Sequence, residues 1–175
     1  MRLAAGVFGV GLGLGLSSIS GSAQAFEREW HLGAAAGVSH GQGLELSPAL
    51  GAYAAYGLSD VFDARLEVTA RGYHVGDELN PNALSAMLGV TYKLDVLRWV
   101  PWAGVYAGYL GFLEPPSLEL PFKQHDVALG VGLGLDYGVS RNFGLGVTLR
   151  FDDALGRADT GTFDGLLRAE YRWGW

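Results

Sequence analysis

From Trp30 onward the chain alternates. Apolar residues recur at every second position in eight separate segments, the period of a β-strand whose two faces meet different surroundings. The first segment holds Trp30, Leu32, Ala34, Ala36 and Val38 in one phase, and the third holds Phe62, Ala64, Leu66, Val68 and Ala70. The same phase is read from Pro48 to Leu58, Leu84 to Tyr92, Pro101 to Tyr109, Val127 to Leu135, Phe143 to Phe151 and Phe163 to Trp175. No position of that phase, so read, is charged. The opposite phase carries Asp63, Arg65, Glu67, Arg71, Lys93, Arg150, Asp152, Arg168, Glu170 and Arg172, with His31, Asp126, Asp136 and Asp164 and many glycines and alanines between them. The fifth segment is ambiguous, because the run from Trp102 to Phe112 is apolar in both phases and its inside and outside are interchangeable.

Eight such segments, with their flanks, approach the roughly 9 to 11 residues that a tilted strand needs to cross a bilayer. A soluble barrel of the lipocalin type would turn the apolar face inward around a ligand. Three features favour the reverse. Aromatic residues of the apolar phase gather at segment ends (Trp30, Tyr56, Phe62, Tyr92, Tyr109, Phe143, Phe151, Phe163), as in the girdles that flank a hydrocarbon band. The polar phase is rich in small residues such as Gly130, Gly132, Gly134, Gly144 and Gly146, which suits a narrow lumen. The links also alternate: those near Ser59-Asp60, Asp95 to Arg98 and Val139 to Asn142 are tight. Those spanning His40 to Leu46, Tyr73 to Pro81, Phe112 to Gln124 and Ala154 to Thr162 are longer, as short periplasmic turns and longer extracellular loops would be. The expectation is all-β: an eight-stranded antiparallel up-and-down transmembrane β-barrel with both termini in the periplasm of a Gram-negative-type bacterium.

Composition narrows the rest. A hydrophobic fraction of 49% against 17% charge excludes a disordered chain, and 28 glycines without a triplet period must sit inside ordered elements. With no cysteine there is neither a disulfide framework nor a thiolate metal site. A formal charge of −6 without a basic run excludes nucleic acid as a partner. Residues 1–25 read as a cleaved signal peptide: Arg2, a glycine-broken apolar stretch from Leu3 to Leu16, then the small-residue site Ala23-Gln24-Ala25. The barrel domain is then 26–175.

The terminal run Leu167 to Trp175, alternating and aromatic at Tyr171, Trp173 and Trp175, resembles the C-terminal signal read by the outer-membrane assembly machinery. The stretch Tyr92-Lys93-Leu94-Asp95 leading to Val100-Pro101-Trp102-Ala103-Gly104 is similar to the turn and fifth strand of the small OmpA-like and OmpX-like barrel families. The resemblance implies an integral outer-membrane barrel, without the peptidoglycan-binding domain that follows the barrel in OmpA. It also implies outer-membrane lipid and the assembly machinery as partners, and a monomer.

Interleaved charges of both signs on the inward phase predict a lumen plugged by ion pairs, since buried charges persist only when paired. The leading functional reading is a structural or surface-interaction protein. The alternative is a narrow gated pore in which an arginine exchanges carboxylate partners, as the resemblance to OmpA allows. A lipid-modifying enzyme ranks third: the apolar phase, so read, carries no Ser or His, and no catalytic residue is assigned. His40, His74 and His125 lie near Asp77, Glu78 and Asp126 at the ends of the longer links, but their spacing matches no metal motif. They are expected to be solvated, with no metal or cofactor. The loop Leu113 to Phe122, with its prolines and apolar residues, is the remaining candidate for specificity.

Overall fold

The alternation becomes eight strands in one closed sheet. The computed structural model describes residues 28–41, 46–75, 78–94, 98–112, 125–155 and 161–174. The signal-peptide reading with Ala23 and Ala25, the terminal Trp175 and the loop Leu113 to Phe122 lie outside the described residues. The strands are β1 (Trp30–Gly41), β2 (Ser47–Gly57), β3 (Phe62–Val75), β4 (Glu78–Lys93), β5 (Trp99–Phe112), β6 (His125–Gly138), β7 (Phe143–Ala154) and β8 (Thr162–Trp173). Each pairs antiparallel with its neighbours in sequence, and β1 closes on β8 from Trp30↔Trp173 to Gly41↔Thr162. Closure leaves no sheet edge with unpaired backbone donors and acceptors.

The faces follow the period. Leu32, Leu50, Leu66, Leu88, Val105, Val131, Leu149 and Leu167 are exposed on the outer wall, while Arg65, Arg71, Thr91, Asp136, Arg150 and Arg168 are buried within. The ambiguous β5 takes the phase first read: Ala103, Val105, Ala107 and Tyr109 point outward, and Val100, Trp102, Tyr106 and Leu110 fill the lumen. Aromatic pairs band the end of the barrel that holds the N terminus, with ring centroids 4.8 Å apart for Trp30 and Tyr56, 5.4 Å for Phe62 and Tyr92, and 4.8 Å for Trp99 and Tyr137. Each pair sits directly opposite across a ladder.

Two turns at that end share one chemistry. In Leu58-Ser59-Asp60-Val61 and in Val139-Ser140-Arg141-Asn142, the serine hydroxyl accepts a hydrogen bond from the backbone N–H of the next strand's phenylalanine, 3.1 Å for Phe62 and 3.2 Å for Phe143. In both, the two residues that open the turn donate their backbone N–H groups to that phenylalanine's carbonyl.

The structure corrects two expectations. The link from Tyr73 to Pro81 is not a longer loop: β3 runs on to Val75 and β4 begins at Glu78. Proline misled the reading, because it is rare inside a ladder. Here the register shifts at Gly72/Tyr73, where Gly72 pairs with Asn82 and Tyr73 with Asn80, so Pro81 is the extra residue of a bulge and owes the ladder no N–H. Likewise, β1 extends to Gly41, which puts His40 on the outward phase, and β7 extends to Ala154, which exposes Asp153 there. The outer wall is therefore free of His and charge only away from its rim.

Leu88 is 63% exposed midway along β4 and Val131 is 55% exposed on β6, whereas Leu46 lies just before β2. Leu88→Arg and Val131→Arg are each expected to cost about 2 to 4 kcal/mol of folding into lipid. Comparing boiled and unboiled samples on a gel should show the fast-migrating folded band weakened for both and unchanged for Leu46→Arg.

Candidate functional site

Among the described residues, charge and close packing coincide in the lumen. Inward residues of opposite walls are near enough to touch, so bulk on one strand demands space on another. Trp102 lies over Gly134, where even a Cβ would overlap the indole ring, and Tyr53 lies in the same way over Gly33. Gly134→Ala is therefore expected to destabilise the barrel by about 1 to 3 kcal/mol. Urea titration of the refolded protein should show the loss, and Trp102→Leu should restore most of it.

Around these rings the charged side chains form two linked groups. In the half away from the termini, Arg71 is fully engaged. Its Nε donates to Asp164 Oδ1 at 2.9 Å, its Nη1 to Ser85 Oγ at 2.9 Å and its Nη2 to Asp152 Oδ2 at 2.8 Å and to Asp164 Oδ2. Asp152 Oδ1 accepts from Arg150 Nε at 2.7 Å, Arg150 Nη1 donates to Glu67 Oε2, and Arg65 Nε stands 2.7 Å from Glu67 Oε1. The chain of pairs Asp164, Arg71, Asp152, Arg150, Glu67, Arg65 thus crosses the lumen from β8 through β3 and β7. Met87, Tyr106, Leu110, Ala128 and Ala154 pack beside it as an apolar cluster.

In the half nearer the termini, Glu170 is the hub. It accepts from Tyr53 Oη at 2.8 Å, Arg172 Nε at 2.7 Å and Arg168 Nη2 at 3.2 Å, and lies 3.1 Å from His31 Nδ1. Arg168 Nη2 also donates to Asp136 Oδ2 at 2.6 Å, and Lys93 pairs with Asp63 at 3.0 Å. Glu29, just before β1, stands 3.5 Å from His31 Nε2. The neighbouring His31 holds the Glu29 carboxyl below its ordinary range against the desolvation that raises it, with smaller help from the charges of Lys93 and Arg172. The waist between the two groups is aromatic and cationic. Arg65 lies 3.8 Å from the centroid of the Tyr53 ring and 4.8 Å from that of Trp102, and Arg168 lies 4.8 Å from each.

Eight of the ten residues assigned to the network from the sequence are brought into these two groups, and the other two, Asp63 and Lys93, form a pair of their own. Asp136 and Asp164 were on the inward phase without an assigned partner, and Tyr53, Trp102, Glu29 and Ser85 were missed. Trp102 was hidden by the ambiguity of β5, whereas Tyr53 was legible as the one bulky inward residue among Ala49, Gly51, Ala55 and Gly57. Tyr171 and Trp173 stack on the outer wall at 6.0 Å, at the closing edge of β8.

Two small voids of about 20 Å³ each interrupt the lumen, both walled by Arg65 and Arg168. No family model and no curated protein sequence matches the chain. The N-terminal β-barrel domain of Pseudomonas aeruginosa OprF superposes with a TM-score of 0.63 at 16% identity, over 85% of this chain and 99% of that one. The fold is that of the small eight-stranded outer-membrane barrels. Neisserial surface protein A superposes with a TM-score of 0.60 at 18% identity over 84% and 96% of the two chains, and the outer membrane enzyme PagL with 0.56 at 15% over 81% and 98%.

Removing Arg71 would strand Asp164 inside the lumen and leave Asp152 with Arg150 alone. Arg71→Met is expected to lower stability by about 3 to 5 kcal/mol, the scale of a broken buried pair. Adding Asp164→Asn should recover part of the loss, measurable as the shift in the temperature at which the folded band disappears from the gel.

Proposed function

We propose that this chain is an integral outer-membrane protein with a closed lumen, and that its role is structural or one of interaction at the cell surface. The observation that carries this reading is the filled lumen: a run of ion pairs from Asp164 to Arg65, an aromatic waist at Tyr53 and Trp102, and two voids of about 20 Å³ each. A void of that size holds a water or two and no continuous path. An exposed apolar wall with an aromatic band at one end supports lipid as the surrounding medium, rather than water.

With an even number of strands β1 begins and β8 ends at the same end of the barrel, beside the tight turns Leu58 to Val61 and Val139 to Asn142. We read that end as periplasmic, the side from which the assembly machinery would engage Tyr171, Trp173 and Trp175. The protein is read as a monomer. Specificity then belongs to the links at the opposite end.

A gated pore is the second reading, favoured by one feature. Arg168 faces both Asp136 and Glu170, so a modest rotation would exchange one carboxylate for the other. A lipid-modifying enzyme ranks third; the outer membrane enzyme PagL shows that this fold can carry an enzyme. His40 lies on the outward phase opposite Phe163, and among the described residues no serine or threonine hydroxyl is hydrogen-bonded to it.

Reconstituted in planar bilayers, the wild-type protein is expected to show a heat-dependent gel shift and no discrete conductance steps. Steps that change when Arg65 and Arg168 are replaced by Ala would transfer the assignment to the pore.

A further inference from the structure

The end of the barrel where β1 begins and β8 ends gathers three arginines at its mouth. Arg98 precedes β5, Arg141 lies in the turn between β6 and β7, and Arg172 is near the end of β8. All three line one open cavity of about 450 Å³. Arg98 and Arg141 are exposed and Arg172 is half-buried, so the cavity is reached directly from solvent.

The backbone fixes where these side chains start. Gly138 N donates to Arg98 O at 2.8 Å, which ties the start of β5 to the end of β6. Arg172 N donates to Asn142 O at 2.8 Å, which ties β8 to the β6–β7 turn, and Arg172 Nε is anchored on Glu170 Oε1 at 2.7 Å. Ser140, also in the wall, accepts from Phe143 N at 3.2 Å; that bond uses a lone pair of its hydroxyl and leaves the proton to donate. The fold does not require a cation at Arg141, because the turn from Leu58 to Val61 closes through the same serine bond with Asp60 in the corresponding place.

One carboxylate shares the cavity, that of Glu29, which stands 3.5 Å from His31. Three arginines against one glutamate leave an excess of two positive charges in the wall. One residue further into the barrel, Trp99 and Tyr137 pair across the ladder with ring centroids 4.8 Å apart. Such aromatic belts sit at the level of lipid headgroups, so the cavity opens at the depth of the phosphates in the surrounding leaflet.

We infer that this mouth cavity binds a phosphate group, with Arg98 and Arg141 reaching it from two turns and Arg172 and Ser140 completing the donor set. A planar carboxylate is satisfied by one guanidinium fork, whereas a tetrahedral phosphate accepts forks from several sides. The headgroup of an anionic phospholipid and free phosphate share this chemistry, and the depth of the aromatic pair favours the lipid. Only that choice of source rests on the reading of the outer wall as facing lipid.

The test is lipid retention by the refolded protein, read by native mass spectrometry from non-ionic detergent micelles doped with phosphatidylglycerol or, in parallel, phosphatidylcholine. The wild-type protein is expected to keep one phosphatidylglycerol in preference to phosphatidylcholine. Arg98→Gln and Arg141→Gln should each need about ten times more of it for equal occupancy, whereas Glu29→Gln should need less and Asp60→Asn the same. Inorganic phosphate at constant ionic strength should compete with the lipid. If phosphate raises the unfolding temperature of the wild type but not of Arg98→Gln, while lipid retention ignores every variant, the phosphate site stands and the lipid source falls. Equal retention of both lipids in all variants, with no effect of phosphate, would overturn the inference. The heat-dependent gel shift of the same samples reports separately on the barrel in detergent, so a failure of the membrane reading is not mistaken for a failure of the site.

Discussion

The pairing of β8 with β1 is the constraint on which everything else rests. A sheet in an apolar medium has nowhere to send the backbone donors and acceptors of a free edge, so the twelve paired positions from Trp30↔Trp173 to Gly41↔Thr162 are a condition of existence there, more than an increment of stability. Once the sheet closes, the period of two does the remaining work. It turns every even position of β1 outward and every odd one inward, and a register slip by one residue would put Arg168 and Glu170 into the surrounding apolar phase.

Closure with eight strands also sets the lumen's width, and that width explains why charge and glycine are interleaved. Side chains from opposite walls meet, so Trp102 needs Gly134 and Tyr53 needs Gly33. Within so narrow a space a guanidinium cannot keep a hydration shell, and each must find carboxylates or rings instead. Arg71 does so completely, with two aspartates and a serine. Arg65 and Arg168 do so in part, through Glu67, Asp136 and Glu170, and rest the remainder of their surface on aromatic faces. Desolvation makes such a network a weak source of net stability but a strong source of specificity, because each alternative packing strands a charge.

The same geometry separates scaffold from role. The wall and the lumen are determined by lipid and by packing, and proteins as different as an OprF barrel domain, a Neisserial surface protein and the enzyme PagL share the fold at 15 to 18% identity. Chemistry on such a scaffold belongs to its ends, where strand constraints lapse. In this chain the rim is where the outward phase first admits polar groups, His40 on β1 and Asp153 on β7.

Alternation, the count of strands, the outward face and the inward phase of the charged residues on the strands were legible along the chain, because each follows from a period of two and its interruptions. Asp63, Arg65, Glu67 and Arg71 declared their side of the wall by parity alone. What parity does not carry is distance across the lumen. That Glu170 gathers Tyr53, Arg168, Arg172 and His31, that Arg71 takes Asp152 and Asp164 together, and that β5 turns Trp102 inward are decided by which strands face one another after closure. The bulge at Pro81 and the extension of β1 through His40 were hidden for a related reason. Local sequence marks where a strand is weak, but the neighbouring strand decides whether the ladder continues, and the pairing partners of these positions lie far along the chain or beyond a turn.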